Sequence, residues 1–225
     1  LATTLQNFIN SVQAVADAPA SITSRQVLLS QAGALTNRLK SYNSSLDSIS
    51  NQLNSQLNSE AAAISTIASN IATLNQRIVA TQGINQQPAN DLLDQRDKLL
   101  SDLAAHLAVS TVTQSDGAVN VFMGNGQVLV MNNTAARLTT AGDQYAATRT
   151  RLVLQSANGA ADVTDAISGG TVGGLLQFRS AMLDPSRNSL GQAAVTLAHL
   201  VNSQQAAGLD LLGQDVWETY SYDSQ

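Results

Sequence analysis

One apolar stripe constrains this chain more than any other feature. It reads Leu39, Tyr42, Leu46, Ile49, Leu53, Leu57, Glu60, Ile64, Ile67, Ile71, Leu74, Ile78. Its steps are three or four residues throughout, the spacing that keeps side chains on one face of a helix. Glu60 alone breaks the stripe with a charge. No proline falls between Pro19 and Pro88, and Gly33 is the only glycine before Gly83. The pattern predicts one helix from about Ser21 to about Gln82. At ~1.5 Å per residue such a helix is roughly 90 Å long, whereas an ordinary globular helix has about 11–12 residues. A stripe of that length needs partners.

Charge patterning says where the partners are. Between Ser41 and Asn75 the only formal charges are Asp47 and Glu60. A dimeric coiled coil places Glu and Lys beside its seam to choose a partner. Their lack predicts that the helix packs on later helices of its own chain. The stripe alternates threes and fours except at Ile49–Leu53–Leu57, a stutter that locally unwinds a supercoil. Charged residues make up 12% of the chain, about half the usual share of roughly 25%. Ser, Thr, Asn and Gln must therefore build the polar surface. The net charge of −5, with Lys40 and Lys98 the only lysines, leaves no positive footprint for nucleic acid or an anionic membrane. No apolar run approaches the ~18 residues of a spanning helix. The absence of cysteine excludes disulfides and thiolate metal sites.

The rest of the chain supplies the partners. Leu1, Leu5, Phe8, Ile9, Val12 and Val15 mark a first helix that Pro19 ends, and Ser21 or Thr23 is placed to cap the next. Gly83 through Pro88 reads as a turn. Asn90 or Asp91 then caps a helix with Leu92, Leu93, Leu99, Leu100, Leu103 and Leu107, which should run back along the long one. Near Val109 the period changes to two. Asp116-Gly117 and Gly124-Asn125-Gly126 are hairpin signals between Val109–Thr113, Val119–Met123 and Val128–Val130. Further strands are predicted around Arg137–Thr140 and Gln144–Gln155, which makes four to five in all. Leu175, Leu176, Phe178 and Met182 return to helical spacing. Asp184-Pro185 kinks or restarts the helix, Leu190, Ala194, Leu197 and Val201 extend it, and Gly208 closes it. The expected fold is mainly α with a β insertion (α+β), an elongated bundle of long antiparallel helices plus a small antiparallel β domain. Residues 1–108 and 158–212 form a discontinuous helical rod domain, 109–157 the β domain and 213–225 an unassigned tail.

Chemistry is sparse. Asp91, Asp94 and Asp97 precede His106, but three-residue steps on a helix splay by about 60° each and do not converge on a metal. They read instead as acidic residues at a helix start, where the dipole favours them. Gly169-Gly170-Thr171-Val172-Gly173-Gly174 lacks both the G-x-G-x-x-G order and a P-loop lysine, and reads as a close helix-entry turn. His106 and His199 have no nucleophile motif beside them. No catalytic residue, cofactor or metal site is assigned, and the chain reads as a non-enzyme. Glu60 is expected near a helix surface or paired with an arginine.

Several stretches together carry a resemblance. They are Pro88-Ala89-Asn90-Asp91-Leu92-Leu93-Asp94-Gln95-Arg96-Asp97 with Leu99-Leu100, Asp116-Gly117-Ala118-Val119-Asn120-Val121, and Gly124-Asn125-Gly126-Gln127-Val128-Leu129-Val130. Gly169 through Arg179, Leu190-Gly191 through Val201-Asn202, Gly208-Leu209-Asp210-Leu211, and Leu5 to Leu39 with Pro19 and Arg25-Gln26 complete the set. In this order they resemble the hook-associated protein 1 family, the hook–filament junction proteins of bacterial flagella. The resemblance reaches to about Gly213, after which Trp217 to Tyr222 departs from the family pattern. It implies an interior fragment, without the family's terminal segments, of an extracellular structural protein exported by the flagellar type III system. The implied partners are further copies in a ring, the hook protein, the neighbouring junction protein, and an export chaperone through the missing C-terminus. Another flagellar axial protein (the second junction protein or a flagellin-like one) and a secreted coiled-coil adhesin are the alternatives.

Overall fold

The computed structural model describes residues 1–85, 90–124, 126–143, 149–157 and 159–208, with backbone alone for 82–85. Helix α1 is Ala2–Asp17. Helix α2, Ile22–Asn85, is one helix of 64 residues, as the stripe and the missing prolines predict. Ser21 is its cap: the Ser24 N–H donates to Ser21 Oγ at 3.2 Å. Helix α3 is Asn90–His106, and Asn90 and Asp91, expected to cap it, are already its first helical residues. The turn expected at 83–88 is in part helix, and its remainder lies outside the described residues, as do Asn125 and the 213–225 tail.

The strands are β1 Val109–Thr113, β2 Val119–Met123, β3 Val128–Met131, β4 Thr134–Ala135, β5 Arg137–Gly142, β6 Thr150–Ser156 and β7 Gly159–Asp162. They form two antiparallel sheets, β1-β2-β3-β4 and β5-β6-β7. The short β4 and β7 exceed the four to five strands expected, because neither has enough residues to display a period. Strand character ends at Asp162 rather than 157. A 3-10 turn at Thr164–Ala166 leads to helix α4, Gly170–Phe178. A π-helical turn, Arg179–Leu183, then opens directly into helix α5, Asp184–Ala206. Pro185 follows this π-helical turn directly, the kind of local irregularity that lets a continuous helix take up a residue with no N–H to donate.

The chain packs into two compact units, one of Leu1–Asp47 with Asp184–Gln225 and one of Ser48–Leu183. In the first, Arg187 of α5 pairs with Asp47 of α2, and Arg25 Nε donates to the Pro19 carbonyl at 2.8 Å. Leu190, Ala194 and Leu197 of α5 are half-buried, and Leu35 is buried. In the second, Leu57, Ile64, Ile71 and Ile78 of α2 have no exposed surface, nor do Leu103 of α3, Leu107 just after it, or Val121 and Leu152 of the sheets. The stripe is therefore a core from Leu53 onward, whereas Tyr42 and Ile49, also on it, are exposed.

Glycines set the approach of α4 to the end of α3. Gly169 and Gly170 have φ of 67° and 56°, in the region that side chains disfavour. A Cβ on Gly170 would lie 2.4 Å from the His106 carbonyl carbon. The Gly-Gly turn is therefore a packing device, as its sequence suggests. Replacing Gly170 by Ala should cost about 3 kcal/mol through strain and overlap. At Gly174, where a Cβ meets nothing within 4 Å, Ala should be neutral or stabilise by about 0.5–1 kcal/mol. Urea unfolding of the two variants measures the contrast.

Candidate functional site

Polar groups that sit on apolar faces tie the helices of the second unit to its sheets. Asn75 is 1% exposed. Its Nδ2 donates to the carbonyls of Val119 (2.8 Å) and Asn132 (2.7 Å), and its Oδ1 accepts from the Val119 N–H at 3.1 Å. The carboxamide thus acts as an extra strand beside β2, offering a donor and an acceptor where the strand presents both. Asn132 holds a φ of 53° in the β3–β4 turn, a conformation Asn tolerates, and its own N–H is taken by Asn120 Oδ1 at 2.8 Å. One turn geometry therefore depends on two asparagine side chains.

Ser65 does the same for the other sheet. Its Oγ donates to the Leu138 carbonyl and accepts from the Leu138 N–H, both at 2.9 Å, so it occupies the open edge of β5. Thr140 Oγ1 donates to Asn58 Oδ1 at 3.0 Å a little further along. An open groove of about 700 Å³ runs between this stretch of α2 and β4–β5, lined mostly by small uncharged residues such as Ala62, Ser65, Thr66, Ser69 and Thr139, with Arg137 its one charged side chain. It contains no convergent titratable groups.

Two buried arginines hold loops. Arg96 of α3 donates through Nη1 to the Gly117 carbonyl at 2.7 Å, pinning the β1–β2 turn. Burial lowers its pKa from the usual guanidinium value, with Asp97 acting in the opposite direction, and its Nε is buried without a hydrogen-bond partner. Arg179, 4% exposed, donates to the Thr150 carbonyl at the start of β6 at 2.6 Å. Thr164 joins the 3-10 turn to β6 by accepting from the Leu152 N–H at 2.8 Å. Its hydroxyl and N–H both donate to Asp162. Burial raises the Asp162 pKa, but those two bonds and Arg151 outweigh it and hold the carboxyl below the usual range.

Glu60 finds a histidine, not the expected arginine or open surface. Its Oε2 lies 2.5 Å from His106 Nδ1, with both side chains about three-quarters buried. The contact sets the last residue of α3 against α2 at Glu60. Because α3 starts just past the end of α2, it runs back along it, as the leucine pattern predicts. Thr171 Oγ1 donates to the Ala105 carbonyl (3.3 Å), and the Ala108 N–H donates to the Ser168 carbonyl (2.8 Å). Three elements thus close on the end of α3. Asp91, Asp94 and Asp97 are exposed along α3, and among the described residues no group of three His, Asp or Glu side chains is placed to hold a metal. His199 lies exposed on α5 in the other unit.

These are the contacts of a scaffold, and comparison with known proteins bears on which one. Residues 1–217 match the model of the flagellar hook-associated protein FlgK helical domain. The chain belongs to that family. Flagellar hook-associated protein 1 of Salmonella typhimurium is 34% identical over the whole of this chain. The Escherichia coli protein of the same name is 33% identical over 95% of it. The chain spans 41% and 40% of the length of these two curated relatives. The solved structure of the flagellar hook junction protein FlgK from Burkholderia pseudomallei matches 95% of this chain and 39% of its own, with a TM-score of 0.85 at 34% identity.

Within this FlgK-type helical domain, the stretches that carry the resemblance are tie points: Arg96 to Gly117, Gly170 to His106, Arg179 to Thr150. Sequence reasoning passes over Asn75, Ser65, Arg96 and Arg179 as sites. A signal exists for each, since all four fall at or beside positions in register with apolar stripes. Replacing Asn75 by Leu should cost about 3 kcal/mol, because it strands buried donors and acceptors of Val119 and Asn132. It should also raise the exchange rate of the Val119 amide. A double-mutant cycle on Glu60→Gln and His106→Gln should give a coupling of about 1 kcal/mol.

Proposed function

We propose that this chain is the helical part of a structural component of the bacterial flagellum, one that connects hook to filament by subunit packing. The observation that carries the reading is the unit of α1, α5 and the first part of α2. Among its described residues Leu35 is the only buried apolar side chain. Leu1 just before α1, Leu5, Ile9 and Val12 on α1, Ile22, Val27 and Leu29 on α2, and Val195, Leu200 and Val201 on α5 are exposed. Three helices with so little core of their own are built to bury apolar faces against neighbours, since each buried Val, Leu or Ile contributes about 1.5–3 kcal/mol.

In this reading the neighbours are further copies in a ring, the hook protein on one side and the adjoining junction protein on the other. The protein works outside the cell, after export by the flagellar type III apparatus, with the export chaperone engaging sequence beyond this chain. The mechanism is packing rather than catalysis. The names borne by the relatives support the junction role in particular.

Deleting the full-length gene tests it. The reading expects hooks without attached filaments, filament subunits shed into the medium, and loss of motility; normal filaments would contradict it. A full-length gene carrying Val195→Asp and Leu200→Asp should fail to restore filaments. Both side chains are more than half exposed, so the 225-residue chain with those changes should keep its stability within about 0.5 kcal/mol each.

A further inference from the structure

Cover falls away along helix α5. Its inward stripe is Asp184, Arg187, Leu190, Ala194 and Leu197, in steps of three or four, and each of these is half-buried. No side chain of α5 is fully buried. Every residue from Ala198 to Ala206 is exposed. Gly191, with open space around it, adds backbone freedom in mid-helix. The helix is therefore held over its first turns and bare over its last.

The contact near its start is a charge pair. Arg187 Nη2 donates to Asp47 Oδ1 of α2, with the arginine side chain 25% and the aspartate 45% exposed. The carboxylate is also held from its own helix. Asn43 Nδ2, one turn back on α2, donates to Asp47 Oδ2 at 2.9 Å and leaves Oδ1 for the arginine. An exposed ion pair loses much of its attraction to the entropy of fixing two side chains; a carboxylate already fixed has less to lose. In a helix held by a core, such a pair contributes little beside one buried Leu or Ile. α5 has no such side chain, and Leu35 is the one buried apolar side chain of its unit among the described residues. The pair therefore carries a large share of what keeps α5 docked.

We propose that α5 is a strap that opens from its Ala206 end in the free chain, and that Arg187 with Asp47 is the latch that sets how much of the time it is closed. Opening of this kind is local: it releases the stripe from Leu190 to Leu197 and leaves the core of the other unit, from Leu53 to Ile78 of α2, untouched. The latch closes within one chain and needs no second subunit. Neighbours laid across the closed strap hold it shut; that consequence rests on the proposed function, whereas the latch itself does not.

The chain has no cysteine, so single introduced thiols report opening directly. Ala194→Cys places one on the half-buried stripe and Val195→Cys one on the exposed side. Ala72→Cys places a third in the core of the other unit, where Ala72 is 4% exposed. In the free 225-residue chain, iodoacetamide should alkylate position 195 fastest, 194 more slowly and 72 slowest of all. Arg187→Gln or Asp47→Asn should each speed alkylation at 194 about three- to fivefold, and the two together no further than either alone. Sodium chloride at ~1 M, where the Debye length is about 3 Å, should do the same in the chain with the latch intact and add nothing to Arg187→Gln. Positions 195 and 72 should not respond. Alkylation at 194 as fast as at 195 from the outset overturns the proposal. So does a rate at 194 that ignores salt and both substitutions, or one that rises only together with the rate at 72, which marks unfolding of the whole chain instead of release of a strap.

Discussion

The carboxamide of Asn75 decides how a long helix and a small sheet share one core. A strand laid beside a helix leaves a row of backbone groups with no partner, and burying them unpaired costs roughly 1–3 kcal/mol each. Asn75 offers a donor and an acceptor in the spacing that Val119 presents, and a second donor bond for Asn132. That arrangement sets the position of β2 along α2 and selects the turn that follows β3. Apolar packing of Ile71 and Ile78 alone would tolerate a slide of one helical turn; a three-bond amide does not. Ser65 applies the same constraint to β5 from an earlier turn of the helix, so both sheets are registered against one element.

The remaining polar contacts follow the same logic. Each lies where an apolar pattern admits one polar residue, and each takes up backbone groups of a neighbouring loop or strand: Arg96 at the β1–β2 turn, Arg179 at the start of β6, Thr164 between β6 and the 3-10 turn. The outward side of α2 is also largely self-satisfied. The hydroxyls of Ser59, Thr66 and Thr73 donate to carbonyls four residues back in their own helix. A helix can thus be polar, uncharged and still lose little by having that face covered, which suits a chain with 12% charged residues.

Much of the fold is legible in the sequence because it is periodic. The spacing from Leu39 to Ile78, with no proline in between, reveals α2 almost to its ends, and alternation from Val109 to Val130 reveals the first three strands. What periodicity does not encode stays hidden. Thr134–Ala135 and Gly159–Asp162 are too short to show alternation and are strands only through their partners. Glu60 pairs with His106 by tertiary contact across two helices, which no local spacing discloses. Asn75 is visible as an amide in phase with Ile71 and Ile78, but its partners lie 44 and 57 positions away in sequence. The stripe reads as uniform from end to end, yet it is a core only from Leu53 onward. Hydrophobic spacing says which face is apolar, not what covers it.

That difference along one helix is the central claim: α2 is buried by its own chain from Leu53 to Ile78, whereas before Asp47 it leaves Ile22, Val27, Leu29 and Tyr42 exposed, a surface that the proposed function assigns to neighbouring subunits. Amide hydrogen exchange along α2, compared between the free chain and the assembled protein, tests it most directly. In the free chain, amides of residues 53–78 should exchange only through unfolding of their whole unit, while those of residues 22–47 exchange faster by local opening. Assembly should slow the second group and leave the first nearly unchanged. Uniform protection along α2 in the free chain, or no gain for residues 22–47 on assembly, would contradict the account.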